Sequence, residues 1–368
     1  MIVAIIGFTK IKYMPYLNLY LDELDVNRND VHLIYWDRDD NNDATTKDGV
    51  TLHPINIKMK DSISIAFKIP RIILFKLFAI KTIRDIDPDF LIVLHSTTAF
   101  TIRRILKKRY KGKYIFDYRD ITYELKSSFY KKTIGKLVDW SYVTFTSSDG
   151  FRFVLPDNHK IYTSHNIISD AERIHANFKR DTVTKQLPIR VSFWGLLRHY
   201  NINKIIIDKL CADPRFELHY YGRAQGSMLQ LMKDASKSYE NFYYHGEYYP
   251  EDRMEFAKET DLLLNIYENK GTMQYAMGNK YYDGIVFGLP QLCLADTYMG
   301  KQCQKSDVGL ACDPNDSSFV DNVAKYYLEL DYNIFLNNCD LELNRVIEEM
   351  QNCKLIIKEA YFDETINT

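Results

Sequence analysis

Residues 278–290 read GNKYYDGIVFGLP. Lys280 and Asp283 are three apart, so on a helix they share a face. Gly278-Asn279 falls at the N-terminus of that helix, where unpaired backbone N–H groups favour an anion. Gly284 leaves one side of the helix without a side chain, so a ligand or a strand can approach closely. Gly288 and Pro290 stop the helix and open a strand. A helix delivered into a strand through a short Gly-x-Pro junction is the grammar of an alternating α/β chain. A surface Lys–Asp pair on an ordinary helix is the plainer alternative.

The same grammar runs outward in both directions. Upstream, β-rich apolar runs occur at 2–6, 31–35, 90–94, 113–117, 142–146 and 159–163; around the opening stretch they occur at 189–194, 216–221, 241–245, 261–266, 289–294 and 308–312. Helical spacing fills most of the gaps, which implies parallel sheets covered by helices on both faces. The pattern restarts near residue 185, after the polar stretch AERIHANFKRDTVTKQLP. The expected organisation is therefore a Rossmann-like domain over 1–170, a linker over 171–188, a second Rossmann-like domain over 189–333, and a helical tail over 334–368 that packs back on the first domain. Ligands of such sheets bind beyond the carboxyl ends of the strands, so two of them suggest a site in the cleft between.

The chain has 368 residues, 46% of them hydrophobic, which is ample for two cores. No apolar run reaches 18 residues, and the richest stretch, IPRIILFKLFAIKTIR, is interrupted by Arg71, Lys76 and Lys81. It reads as a mostly buried helix with snorkelling cations, not a membrane span. The start, MIVAIIGFTK, reads as a buried strand rather than a secretory leader. Six cysteines, all after residue 210 and without a C-x-x-C pair, read as reduced thiols in a cytosolic protein. DRDD, 37–40, contains a D-x-D, but in a polar loop that paired Rossmann domains rarely use, so no metal is expected. The net charge of -1 hides an asymmetry: residues 1–180 carry 29 Lys/Arg against 21 Asp/Glu, and the remainder 19 against 28. In TIRRILKKRYKGKY, Arg104, Lys107, Lys108 and Lys111 form a cationic helical stripe, read either as a solvated face or as a contact for anionic lipid headgroups. Nothing resembles a nucleic-acid module.

Several residues that follow strands could carry chemistry. In SFWGLLRHYN, Gly195 ends a strand and Arg198 follows, where a guanidinium could clamp a diphosphate bidentately. HYYGRAQG repeats the theme with Gly222 and Arg223. Asn279 and Lys280 continue the anion-binding end of the opening helix, and the Asp283 carboxylate can accept two hydrogen bonds from a ribose diol. In YIFDYRDITYE, Arg119, Asp120 and Glu124 follow a strand; Asp120 is the candidate for orienting a hydroxyl, and structural pairing of Arg119 with Asp120 or Glu124 is the alternative. Gly7, after the first strand, and His95, in LIVLHSTTAF, are candidates for the other side of the cleft.

Gly195 with Arg198, Gly222, and Lys280-x-x-Asp283 through Gly288 and Pro290, in this order, resemble the C-terminal domain of GT-B glycosyltransferases, especially glycosyltransferase family 4. The likeness covers roughly 189–315, with a looser fit over 1–170. It departs at three points: Asp283 stands where the family has Glu, Tyr275 stands where it has a second Glu, and the cation is three residues beyond the Gly. The resemblance implies an α/β GT-B fold and a metal-independent, retaining hexosyltransferase that needs no cofactor beyond a nucleoside-diphosphate sugar. It also implies that Arg119 and Asp120 lie near the transferring sugar or acceptor and Gly7 near the acceptor. Together with the basic stripe it suggests a lipid-linked glycan acceptor, in capsule, exopolysaccharide or O-antigen synthesis, at the cytoplasmic face of a bacterial membrane. A GT-B-fold nucleotide-sugar epimerase and a non-catalytic nucleotide-sugar-binding subunit are the alternatives.

Overall fold

A computed structural model describes residues 1–14, 16–26, 28–38, 46–59, 65–178 and 185–362. The chain divides into two compact units, one of Met1–His165 with Glu348–Thr368 and one of Asn166–Ile347. The second half of DRDD and residues 179–184 of the polar stretch before Pro188 lie outside the described residues.

The first unit holds a parallel sheet in the order β3-β2-β1-β4-β5-β6-β7. Its strands are β1 (Ile2–Ile6), β2 (Asp30–Asp37), β3 (Val50–Asn56), β4 (Phe90–Leu94), β5 (Tyr114–Tyr118), β6 (Val143–Thr146) and β7 (Ile161–Thr163). The second holds β10-β9-β8-β11-β12-β13, also parallel. These strands are β8 (Ile189–Trp194), β9 (Phe216–Tyr221), β10 (Phe242–Gly246), β11 (Leu262–Asn265), β12 (Gln291–Leu294) and β13 (Gly309–Cys312). Central strands such as β4 and β5 are buried at every residue, as helices on both faces require.

One strand, β3, has no counterpart in the sequence reading. It is an outermost strand of alternating exposure and contains Pro54, whose missing N–H is tolerated only at a sheet margin. The 31-residue helix Tyr332–Phe362 serves both cores: Phe335, Cys339, Leu343 and Val346 join the second, while Cys353, Ile357, Ala360 and Tyr361 join the first. All six cysteines are buried and free.

The helix Ile65–Ile86 departs from the expected burial. Ile69, Ile73, Leu74 and Leu77 are 49–60% exposed, while Phe75, Ala79 and Ile83 face the core. The cations at 71, 76 and 81 do not segregate from the apolar residues, so periodicity alone could not say which apolar row was inward.

Both sheets share a motif at their outer two strands. On β2, His32 Nε2 lies 3.2 Å from Asp30, and its Nδ1 lies 2.9 Å from Nε2 of His53 on β3. On β9, His219 Nε2 lies 3.4 Å from Glu217, and its Nδ1 lies 3.1 Å from Nε2 of His245 on β10. Acid and central imidazole are two residues apart, which puts them on one face of a strand.

Candidate functional site

In the second unit the strand ends at β8, β9 and β11 converge on the N-terminus of the helix Asn279–Val286. β8 runs into Gly195 (φ 131°) and β9 into Gly222 (φ 139°), both in conformations that favour glycine. A Cβ on Gly222 would lie 1.7 Å from the Gly195 carbonyl oxygen, so these two strand ends touch backbone to backbone. Beyond Gly195 the loop is tied down: Leu197 N donates to Arg223 O at 3.0 Å, and buried Asn203 Nδ2 donates to the carbonyls of Arg198 (2.7 Å) and His199 (3.0 Å). The Arg198 and Arg223 side chains are exposed, as is Asn279.

Gly278 caps the helix, with Tyr281 N donating back to its carbonyl. Lys280 enters the interior from the first turn and is 7% exposed. Its Nζ sits 3.9 Å from the Phe193 ring centroid and 4.7 Å from that of Tyr267. A Cβ on Gly195 would lie 3.5 Å from the same Nζ, so the end of β8 is an immediate neighbour of the ammonium. Burial pushes the Lys280 pKa down to about 7, against the opposing pull of Asp283 and Cys293. The result is an ammonium on aromatic faces, at a helix N-terminus, with no ion-pair contact to a carboxylate among the described residues.

Gly284 accommodates a strand rather than open space. A Cβ there would lie 2.3 Å from Gln291 Cδ; Gln291 on β12 uses this gap to donate Nε2 to Tyr281 O at 3.0 Å and to accept from Asn265 at 3.0 Å. Gly288 (φ 58°) then closes the helix, with Leu289 N returning to Gly284 O. On the far side, Tyr281 Oη donates to Glu342, which also receives Gln302, Ser306 and Arg345. The helix that carries Lys280 is thereby fixed from both flanks.

Asp283 is 2% exposed, and its carboxylate accepts from Trp194 Nε1 at 2.8 Å and from Arg253 Nη1 at 3.2 and 3.3 Å. Burial raises its pKa, with Arg253, Trp194 and Lys280 opposing. Arg253 and Trp194 were invisible to the sequence reading, because no short spacing links them to Asp283. His199, in the left-handed region (φ 64°), also belongs here: burial lowers its pKa, as do Arg198, Lys280 and Lys270, against Glu268. Glu268 in turn lies 3.4 Å from Lys270.

In the first unit the structure brings His95 and Asp120 together, with Nε2 3.7 Å from the carboxylate. His95 (φ 76°) caps the helix Ser96–Arg109, accepting from Thr97 N at 3.3 Å, and Asp120 is exposed. Arg119 does not join them. It is buried against Asp117, donates to Ser164 O and Oγ at 2.9 and 3.1 Å, and lies over the Tyr16 ring. Its partner is two residues back along β5, where side chains share a face, not Asp120 or Glu124. Gly7 packs against the end of the Met14 side chain, whose Sδ a Cβ would approach to 2.3 Å. Arg104, Lys107, Lys108 and Lys111 are all exposed. Among the described residues no three His, Cys, Asp or Glu side chains converge on a metal-sized point, and no helix is long and apolar enough to cross a membrane.

No family model matches the chain, and no curated protein matches it. Solved structures do. Sucrose-phosphate synthase from Thermosynechococcus elongatus is similar over 100% of both chains, at 11% identity and a TM-score of 0.71. The lipopolysaccharide outer core galactosyltransferase WaaB matches over 99% of this chain and all of its own, at 11% identity and a TM-score of 0.63. Anabaena Alr3699/HepE, in complex with UDP and glucose, matches over 100% of this chain and 99% of its own, at 12% identity and a TM-score of 0.60. With two parallel α/β units, a C-terminal helix that returns to the first, and end-to-end likeness to glycosyltransferases of this architecture, the chain has the GT-B fold.

Proposed function

We propose that the protein is a glycosyltransferase that moves a hexose from a nucleoside-diphosphate sugar to a lipid-linked or saccharide acceptor, in the synthesis of a bacterial surface polysaccharide. The observation that carries this reading is Lys280: a buried ammonium whose pKa burial lowers to about 7, beside Gly195 and in the first turn of a helix. A diphosphate supplies the charge such a group lacks. In the transfer, the acceptor hydroxyl oxygen bonds to the anomeric carbon as the bond from that carbon to the diphosphate oxygen breaks. The electron pair leaves with the diphosphate, and the acceptor proton passes to its oxygen. Lys280, the exposed Arg198 and Arg223, and the N–H groups at Asn279 neutralise that leaving charge. The step needs no metal or further cofactor, and the resemblance to glycosyltransferase family 4 implies retention of configuration.

His95 with Asp120 in the first unit is suited to orient the acceptor hydroxyl, since an exposed carboxylate beside an imidazole can accept a hydrogen bond from it. Arg119 contributes by fixing the end of β5 rather than by touching sugar. The exposed apolar row on the helix Ile65–Ile86 and the cationic row Arg104, Lys107, Lys108 and Lys111 favour an anionic membrane surface as the setting for a lipid-linked acceptor.

The test is a thermal-shift panel of nucleoside diphosphates and their sugars. At least one should raise the melting temperature of the wild type and leave Lys280→Met unmoved. Failure of a well-folded protein to respond to every member would refute the donor site. Binding without transfer to any acceptor would favour a non-catalytic subunit.

A further inference from the structure

Two groups of exposed apolar residues in the first unit lie at the same end of its sheet. In an alternating chain each helix starts where a strand ends, so the early turns of the helices lie at the carboxyl ends of the strands. The exposed row Ile69, Ile73, Leu74 and Leu77 occupies the earlier part of the helix Ile65–Ile86, whose Phe75 packs on Phe8 and Trp36 at the ends of β1 and β2. The second group, Tyr123, Leu125 and Phe129, lies on the turn after β5 and at the start of the helix Ser128–Trp140; Phe129 is 64% exposed. The helix Ser96–Arg109 packs against both of these helices and so runs between them. It is parallel to Ser128–Trp140: near the start Phe100 meets the rings of Phe129 and Tyr130 at 6.2 and 4.6 Å, and near the end Lys107 lies over Trp140. His95 caps this middle helix, and Asp120 precedes Tyr123 by three residues, so the candidate acceptor residues share the same end.

The charge around these groups is nearly all of one sign. Residues 68–84, 96–111 and 121–138 carry five, six and four Lys or Arg, against a single carboxylate, Glu124. Glu124 turns inward between exposed Tyr123 and Leu125: it is buried, and its Oε2 accepts from Thr122 N at 2.6 Å. Lys126, Lys131 and Lys132 flank the apolar tip and are exposed. Apolar side chains among cations, with the one acid hidden, fit an anionic bilayer, where the apolar groups enter the headgroup boundary and Lys and Arg stay at the phosphates. A second copy of the same surface would meet it with like charge. We propose that this end of the first unit seats on an anionic bilayer, and that the acceptor is a lipid-anchored molecule whose reacting hydroxyl lies on the sugar nearest the lipid, not at the end of a long glycan. The acceptor part rests on the transferase reading above. Three residues of extended chain span at most about 10 Å, so the Asp120 backbone stands within that distance of a residue that enters the headgroup layer. A long glycan would carry its terminal hydroxyl away from the membrane and past both His95 and Asp120.

Seating and acceptor class are read separately. All six native cysteines are buried, so single cysteines introduced as Phe129→Cys, Asp120→Cys and His159→Cys can each take an environment-sensitive fluorophore. His159 is exposed just before β7, at the opposite end of the sheet. Each labelled protein is mixed with vesicles of phosphatidylcholine and phosphatidylglycerol that carry a nitroxide either on the headgroup or within the acyl chain. The headgroup nitroxide should quench the labels at 129 and 120 but not at 159, and the chain nitroxide only the label at 129. Vesicles of phosphatidylcholine alone should quench none. Quenching at 129 without quenching at 120 would overturn the placement of the acceptor residues, and no quenching at 129 would remove the seat itself. A dimer formed without lipid and separated by Leu77→Asp would give the face to a second copy and end the proposal. For the acceptor, the nucleotide sugar that the thermal panel selects is offered with a prenyl diphosphate bearing one sugar and with the same lipid bearing a long glycan. The short acceptor should be favoured by about tenfold or more in kcat/KM; equal or reversed preference would refute the acceptor class. The expected quenching in a protein that responds to no nucleoside diphosphate would refute the transferase reading and leave the seat standing.

Discussion

Lys280 gives the donor site a pH signature that can be worked from the structure. With its pKa near 7 in the free protein, half the molecules carry the ammonium at pH 7. At pH 9 about 1% do, so a ligand that requires the charged form loses roughly 50-fold in affinity between the two, or about 2.3 kcal/mol. The terminal phosphate of a nucleoside diphosphate titrates near pH 6, outside this window, and does not contribute to the slope. Binding above pH 7 must also take up a proton, approaching one per ligand at pH 9. Isothermal calorimetry of UDP from pH 7 to 9, in buffers of different ionisation enthalpy, reads both quantities. Without ligand the sign reverses: the unfolded chain holds its lysine proton to about pH 10.4, so the contribution of Lys280 to stability rises with pH between 7 and 10. Affinity that stays flat from pH 7 to 9, or a slope that persists in Lys280→Met, would refute the reasoning.

Other expectations follow from particular contacts. Gly222→Ala would drive a Cβ to 1.7 Å from Gly195 O at φ 139°, and should cost more than about 3 kcal/mol in urea unfolding. If that variant unfolds at the wild-type midpoint, the close approach of the two strand ends is wrong. Burial lowers the pKa of His53 and His245, so their share of stability is present above about pH 6.5 and lost as pH falls below it. The double variant His53→Gln, His245→Gln should therefore show a flatter stability profile between pH 7 and 5, and an unaltered slope would count against the imidazole pairs. Leu77→Asp, on an exposed position, should leave melting temperature nearly unchanged but reduce sedimentation with vesicles rich in anionic lipid; unchanged sedimentation would exclude this row from the membrane contact. None of the six buried thiols should react with a thiol reagent until urea unfolds the chain, and rapid labelling of the native protein would contradict their burial.

The α/β alternation was legible because parallel strands buried on both faces are continuous apolar runs, as β4 and β5 show. β3 escaped because a marginal strand with Pro54 and alternating exposure lacks that signature. The closure of the helix at Gly288 could be read from glycine placement, since its left-handed conformation answers a local backbone need. The surroundings of Asp283 could not: Trp194 and Arg253 are 89 and 30 residues away in sequence, and only the folded sheet joins them. The inward turn of Arg119 had a signal in Asp117, two residues back on the same strand face, and the family resemblance drew attention to Asp120 instead.

Left bare, β3 and β10, each outermost on one side of its sheet, would offer their free backbone groups to a second chain. Pro54 withholds one donor along the first margin, and the register shift before Gly246 disturbs the second. His53 and His245 add a titratable ring to each. In mild acid those rings set like charges against any strand that tries to extend either sheet, so the protonation that loosens the folded chain also discourages its copies from growing into fibrils.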